Sequence, residues 1–251
     1  MKKPLDKFSE QSKSYKKYRP TYPKELYDDI LKLVKTKDVC WDCGTGNGQV
    51  ATVLSSYFNT VYATDLSHGQ ITKAPKKANI IYKVERAETT RFNDDQFDLI
   101  TVAQAIHWFD FTAFNKEVRR VCKNEGILSV WGYGLLKISE PIDVLVHAFY
   151  HHVVGPYWDK ERRHVENEYK SIPLVFDEIQ TKNQKSIKIN WTLEHLEGYF
   201  NSWSSVRNYM RDNGGRNPVD QLMKELQSVW GKDALKEIEF PIFLRVGRIK
   251  K

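Results

Sequence analysis

Cysteine is scarce in this sequence, three in 251 residues. So odd and sparse a set suits a reducing compartment and excludes a disulfide framework. Cys40 and Cys43 form a CxxC, but no second pair completes a zinc site. Both fall in or at the end of a predicted strand, whereas a redox CxxC would open a helix and have its thiol acidified there. Burial is the expected role. Long apolar runs are also missing: none approaches ~18 residues, so no membrane span is expected. The start, MKKPLDKFSEQSKSYKKYRP, opens on two lysines with no apolar stretch behind them and does not read as a secretory signal. A cytoplasmic location is the default expectation. There is no internal repeat and no low-complexity linker.

What is present is a globular composition, 41% hydrophobic and 13% aromatic, in a chain long enough to bury a substantial core. Lysine and arginine total 39 against 32 acidic residues, a formal net charge of +7. The basic residues are scattered apart from YKKYR near the start and RIKK at the end, which favours a solvated surface over a nucleic-acid stripe.

Pro23 can sit in the first turn of a helix that carries Leu26, Ile30, Leu33 and Val34 on one face. Strand-like and helix-like stretches then alternate: strands at 39–43, 60–64, 80–84, 97–105 and 126–134, helices at 48–58 and 111–122, and a short helix that Pro75 ends or kinks. That alternation predicts an α/β fold with a parallel sheet and right-handed crossovers. Residues 137–183 hold aromatics, paired histidines and no clear strand. SIKINW (186–191) alternates like a strand, helices follow near 192–212 and after Pro218, and IEFPIFLRVGRI (238–249) alternates again. Pro241 cannot donate to a ladder, so it is expected at the start of that last strand.

The stretch VCWDCGTGNGQVATVL (39–54) runs from a strand through three alternating glycines into a helix. Such an elbow brings backbone N–H groups up to an electron-rich ligand with no Cβ in the way. A Walker loop would need Gly-Lys-Ser/Thr, which is absent, and a dinucleotide fold wants GxGxxG where this chain has GxGxG. Asp42 precedes the glycines, and Asp65 ends the second strand, where a carboxylate can take both ribose hydroxyls of a nucleoside. The bland alternative is a tight turn beside a solvent-facing aspartate.

Over roughly residues 36–135 these motifs resemble the class I S-adenosylmethionine-dependent methyltransferases. WDCGTGNG looks like the glycine-rich first motif, YATDLS like the second-strand acidic motif, and VERAETTRF like the stretch that faces the adenine. FDLITVAQAIHWFD is similar to the fourth-strand motif of a subgroup of trans-aconitate-type and related small-molecule enzymes, type 11-like. YKKYRPTYP resembles that subgroup's segment over the cofactor. The resemblance implies S-adenosyl-L-methionine as cofactor and a Rossmann-like sheet in the order 3-2-1-4-5-7-6, the last strand antiparallel, with a helical cap inserted after strand 5. The division that follows is a lid and first helix at 1–35, a cofactor-binding core at 36–136, the cap at 137–183, and strands and helices completing the sheet at 184–251. It also implies that Asp42, Gly44 and Gly46 bind the cofactor at the elbow, Gly44 and Gly46 approaching the methionine part. Asp65 would bind the ribose, Leu66, Ala87 and Glu88 would flank the adenine, and Gln104 would lie near the amino-acid end. Tyr18 and Arg19 would be lid contacts, Arg19 meeting the cofactor carboxylate or else standing as a surface arginine steadied by Pro20.

Methyl transfer needs a base only where the acceptor must lose a proton. His107, just past the fourth strand, is the candidate catalytic base, or with Trp108 part of the wall. Trp108, Tyr133, Trp158 and Trp203 are the candidate acceptor contacts. Trp131 is read as core. Tyr157, Trp158, Arg162 and Arg163 form an aromatic-basic cluster that would take an anionic or aromatic small-molecule acceptor, or else a solvated face. No metal is expected: His151 and His152 are adjacent, so one helix cannot aim both at one ion. Competing readings are an RNA or DNA methyltransferase, an NAD(P)-dependent oxidoreductase, and a scaffold that keeps only the nucleoside pocket. Nucleic acid is disfavoured because AQAIHW stands where base-N enzymes carry Asn/Asp-Pro-Pro-aromatic, and Cys122 is placed on a helix away from the mouth.

Overall fold

The computed structural model describes residues 17–181, 185–232 and 234–251. Residues 1–16 of the expected lid segment, with Tyr15 and Lys16 of its motif, lie outside the described residues.

Helix α1 (Lys24–Leu33) starts from Pro23 as its N-cap and buries Leu26, Tyr27, Ile30 and Leu31. The αβ alternation then runs β1 (Val39–Cys43), α2 (Gln49–Leu54), β2 (Thr60–Asp65), α3 (His68–Ile71), β3 (Ile80–Val84), β4 (Phe97–Ala103), α4 (Phe111–Val121) and β5 (Cys122–Tyr133). Strands β1 to β5 pair in parallel in the order β3-β2-β1-β4-β5. Beyond β5 lies β8 (Lys236–Arg248), antiparallel to it, with β7 (Lys185–Trp191) antiparallel to β8 in turn. This is the Rossmann-like order 3-2-1-4-5-7-6 with one addition. The two-residue β6 (Asp177–Glu178) also pairs with β8, in a region where no strand is expected from sequence.

Alternation along each strand divides the core between two faces, because successive side chains point opposite ways. Cys40, Leu99 and Ile127 join an apolar cluster with α1 and α2, whereas their neighbours Trp41, Ile100 and Leu128 join another with α4. Strand β4 is buried on both faces as far as Val102, as a central parallel strand must be.

Helices α5 (Glu140–Ala148) and α6 (Arg162–Glu166) follow β5, joined by a π turn (Phe149–Val153) and a 3₁₀ turn (Gly155–Tyr157). Helices α7 (Leu193–Asn201), α8 (Ser204–Asp212) and α9 (Val219–Trp230) lie between β7 and β8. Helix α9 packs on α5, and α8 on the 3₁₀ turn, so both insertions build one helical cap. The residues after 184 contribute to it as well as to the sheet.

Several sequence expectations are corrected. The helix expected at 48–58 ends at Leu54. The stretch 192–212 is two helices, broken where the Ser202 hydroxyl donates back to the Tyr199 carbonyl at 2.6 Å. Cys122 opens β5 instead of lying on a helix. Pro241 is in the middle of β8. Its carbonyl accepts from the Gly134 amide at 2.9 Å, one residue past the last β5 pair, Tyr133 with Ile242. Its missing N–H therefore faces the side where that ladder has run out, and nothing is lost there.

Candidate functional site

The order reverses between β1 and β4, and the loops leaving these strands open a crevice at their C-terminal ends, the usual ligand position in such sheets. Gly44, Gly46 and Gly48 all take left-handed backbone, at φ of 69°, 55° and 79°. Their reasons differ. A Cβ at Gly44 would lie 2.6 Å from the Ala105 Cβ, and one at Gly48 would lie 2.4 Å from the Tyr82 hydroxyl. At Gly46 nothing stands within 4 Å. Two of the glycines thus admit neighbours within the protein, and Gly46 alone borders open space.

Asp42 holds this elbow from behind. It is 1% exposed. Its Oδ2 accepts from the Thr45 hydroxyl at 2.5 Å and the Ala51 amide at 3.0 Å, and its Oδ1 accepts from the Thr101 hydroxyl at 3.0 Å. Burial raises its pKa to about 6, against the pull of those hydrogen bonds. These bonds make it a brace between β1, β4 and the start of α2, and it also borders the cavity described next, as an expected cofactor contact.

Asp65 joins β2 to the elbow: Oδ2 accepts from the Gly46 amide and Oδ1 from the Ser67 amide, both at 2.8 Å. Beside it opens a cavity of about 410 Å³. Of the expected contacts, its wall brings together Arg19, Asp42, Gly44, Gly46, Asp65, Leu66, Ala87, Glu88, Gln104, Trp108 and Tyr133. The Glu88 Oε1 accepts from the Asp110 amide at 3.0 Å, tying β3's exit loop to the cap of α4. Gln104, at φ 53°, turns its Oε1 to accept from the Tyr133 amide at 2.9 Å, and so extends the β4–β5 ladder with a side chain.

Sequence reasoning missed Gln70, Glu85, Arg86 and Phe109 in the same wall. Gln70 is 3% exposed, and its amide oxygen has no donor among the described residues. The available signal was Ser67, whose hydroxyl caps the Gln70 amide at 3.2 Å and so turns α3 back beneath Asp65.

Tyr18 is not in this cavity. Its ring fills the slot left by Gly198 on α7, where a Cβ would come within 2.4 Å, and it meets His195 edge-on at 5.1 Å. Arg19 is no surface arginine: it donates to the Tyr133 hydroxyl at 3.2 Å and to the Ser202 carbonyl at 3.1 Å, 5.3 Å above the Tyr199 ring.

A smaller cavity of about 70 Å³ shares Arg19, Gln104 and Trp108 with the larger one. His107, Trp158 and Trp203 line this annex and not the main chamber. His107 is 6% exposed, its Nδ1 2.9 Å from the Tyr169 hydroxyl and its ring stacked on Tyr169. Trp131 is core, fully buried. Tyr157 packs against Tyr209 at 4.9 Å, and Arg163 is exposed, so neither belongs to the annex wall.

All three thiols are free and buried. Burial lifts Cys40 and Cys43 well above the usual thiol range and Cys122 to about 12, so none is a thiolate nucleophile at neutral pH. Among the described residues no group of three or more His, Cys, Asp or Glu is placed to hold a metal ion, and no helix is long and apolar enough to cross a membrane.

Residues 41–130 match the family described as a methyltransferase domain. A Dictyostelium discoideum protein named as a candidate methyltransferase is 35% identical over 252 residues, covering 97% of this chain and 95% of its own. A Saccharomyces cerevisiae relative named as an S-adenosylmethionine-dependent methyltransferase is 22% identical over 87% of this chain and 88% of its own. Among solved structures, an Anaeromyxobacter dehalogenans protein described as a type II methyltransferase superposes with a TM-score of 0.85 at 30% identity, covering 93% of this chain and 100% of its own.

Proposed function

The chain belongs to the class I S-adenosylmethionine-dependent methyltransferases, and on that premise we propose that it methylates a small-molecule acceptor, anionic or aromatic, held in the annex under the helical cap. The observation that carries this reading is that the two cavities adjoin, sharing Arg19, Gln104 and Trp108 in their walls. A chamber fit for a nucleoside stands beside a smaller aromatic one. Membership in this family displaces the nicotinamide-dependent alternative.

The residues of the larger cavity fit S-adenosylmethionine. Gly46 leaves room opposite Asp65, and Gln70 offers a buried acceptor with no donor among the described residues. Asp65 would take the ribose hydroxyls. Its oxygens accept the Gly46 and Ser67 amides, and a carboxylate oxygen can accept more than one donor. Leu66 and Ala87 would flank the adenine with apolar surface and Glu88 would take its polar edge. Arg19 and Gln104 would stand at the amino-acid end. When bound, the cofactor supplies an electrophilic methyl on sulfur with a good leaving group.

The chain's own contribution is then alignment and exclusion of water, for which effective molarity is worth ~7 kcal/mol or more. Trp108 and Gln104 would stand in the shared wall between donor and acceptor, with Tyr133 on the donor side. His107 acts as a base only in the tautomer whose Nδ1–H donates to the Tyr169 hydroxyl, leaving Nε2 to receive a proton. An acceptor that loses no proton leaves His107 as wall.

The test is release of S-adenosylhomocysteine from S-adenosylmethionine over a panel of small carboxylic acids, phenols and amines. The expected outcome is acceptor-dependent release that falls steeply in Asp65→Ala. Transfer to RNA or DNA in place of every small molecule would contradict the proposal.

A further inference from the structure

The annex carries more hydrogen-bond donors than the protein itself satisfies. Arg162 is held in one orientation: its guanidinium lies 4.6 Å over the Trp158 ring and 5.5 Å over Tyr150. Its Nε donates to the Tyr150 hydroxyl at 2.8 Å, and that hydroxyl donates to the Glu166 carboxylate at 2.8 Å. Both terminal nitrogens, Nη1 and Nη2, are left without an acceptor among the described residues. Trp158 adds a second such donor, because its buried indole N–H has no acceptor among the described residues either. Both side chains line the annex.

A buried donor without an acceptor, such as the Trp158 indole N–H, is costly, and the half-buried Arg162 presents a planar fork that matches a carboxylate through two parallel bonds. We infer that the annex recognises its acceptor by a carboxylate, gripped by Arg162 and Trp158; this rests on the methyltransferase reading of the larger cavity. Asp159 is the only carboxylate in the annex wall among the described residues. With Arg19 and Arg162 the wall keeps an excess of positive charge.

Position assigns the carboxylate a role. Arg162 and Trp158 line the annex alone, whereas Arg19, Gln104 and Trp108 line both cavities. The carboxylate is therefore a handle at the end remote from the cofactor chamber, and the methyl goes to a different atom, nearer Trp108. Tyr150 acts as a positioning residue, keeping the Arg162 fork turned toward the annex.

The experiment is calorimetric titration of the full chain, with S-adenosylhomocysteine present, by benzoate, benzamide and benzylammonium at one ionic strength. Benzoate is expected to saturate and to bind at least about tenfold tighter than benzamide, with that preference lost in Arg162→Gln and partly kept in Arg162→Lys. Tyr150→Phe is expected to weaken benzoate less than Arg162→Gln does. S-adenosylhomocysteine titrated alone is expected to bind wild type and Arg162→Gln equally, which also reports that the variant is folded. Benzoate binding that is absent, or indifferent to Arg162→Gln, overturns the inference while the cofactor reading stands. Tighter binding of benzylammonium, lost in Asp159→Asn, overturns it too. Failure of S-adenosylhomocysteine to bind wild type is a separate result and removes the premise.

Discussion

The Asp65 carboxylate accepts a hydrogen bond from the Gly46 amide at 2.8 Å, so the acid that ends β2 is tied to the one elbow glycine that borders open space. The same carboxylate therefore sets the elbow and faces the cavity. Asp65→Ala is expected to weaken S-adenosylhomocysteine binding at least about tenfold, ~1.4 kcal/mol, through loss of a charged acceptor. Asp65→Asn, which keeps an acceptor oxygen without the charge, is expected to fall between. Titration calorimetry on the three proteins checks the order.

The glycines separate stability from binding. Gly48→Ala forces a Cβ against the Tyr82 hydroxyl at left-handed φ, and it is expected to lower unfolding free energy by about 1–3 kcal/mol. Gly46→Ala carries left-handed strain but meets no neighbour, so it is expected to cost less stability than Gly48→Ala while also weakening cofactor affinity. Urea unfolding alongside titration reads both, and equal stability losses would contradict the assignment.

Asp42 gives a signed pH dependence. Its folded pKa of about 6 lies above the ordinary unfolded carboxylate value of ~3.9, so between these values the native state holds the proton that the unfolded chain releases. Stability from this group is fullest below about pH 4 and declines by about 2–3 kcal/mol as pH rises to 6. Relative to Asp42→Asn, wild type is expected to lose stability across that window in thermal denaturation. Parallel profiles would place the Asp42 pKa near its unfolded value.

The buried thiols are expected to be silent. An aromatic disulfide reagent at pH 8 should titrate none of the three cysteines in the native protein and all three after unfolding. A thiol that reacts promptly in the native state would argue against the burial of that residue.

His107→Ala is expected to slow turnover far more than it weakens cofactor binding, for an acceptor that must lose a proton. Tyr169→Phe should then shift the pH profile of kcat, because the hydroxyl bonded to the His107 Nδ1 is gone. Unchanged turnover in His107→Ala would leave that residue as wall.

The sheet was legible in the sequence because it is written locally. The short apolar runs of β1 and β4, the GxGxG elbow and Asp65 at a strand end are each visible within a few residues. Most of the expected cofactor contacts fell in the larger cavity's wall, since it is made where those strands stop. What escaped depends on distant partners. Tyr18 leaves the cavity because Gly198, far along the chain, opens a slot for it. Pro241 sits in mid-strand because the β5 ladder ends opposite it. The annex joins Trp108, Trp158 and Trp203, three of the four expected acceptor contacts, whereas Tyr133 stands in the larger cavity's wall.

The central claim is tested most directly by a crystal structure of the protein soaked with S-adenosylhomocysteine. The account predicts the ribose hydroxyls on Asp65, the adenine between Leu66 and Ala87, and the amino-acid end beside Gln104. A cavity that stays empty at saturating ligand, or a ligand seated with no contact to Asp65 or Gly46, would contradict it.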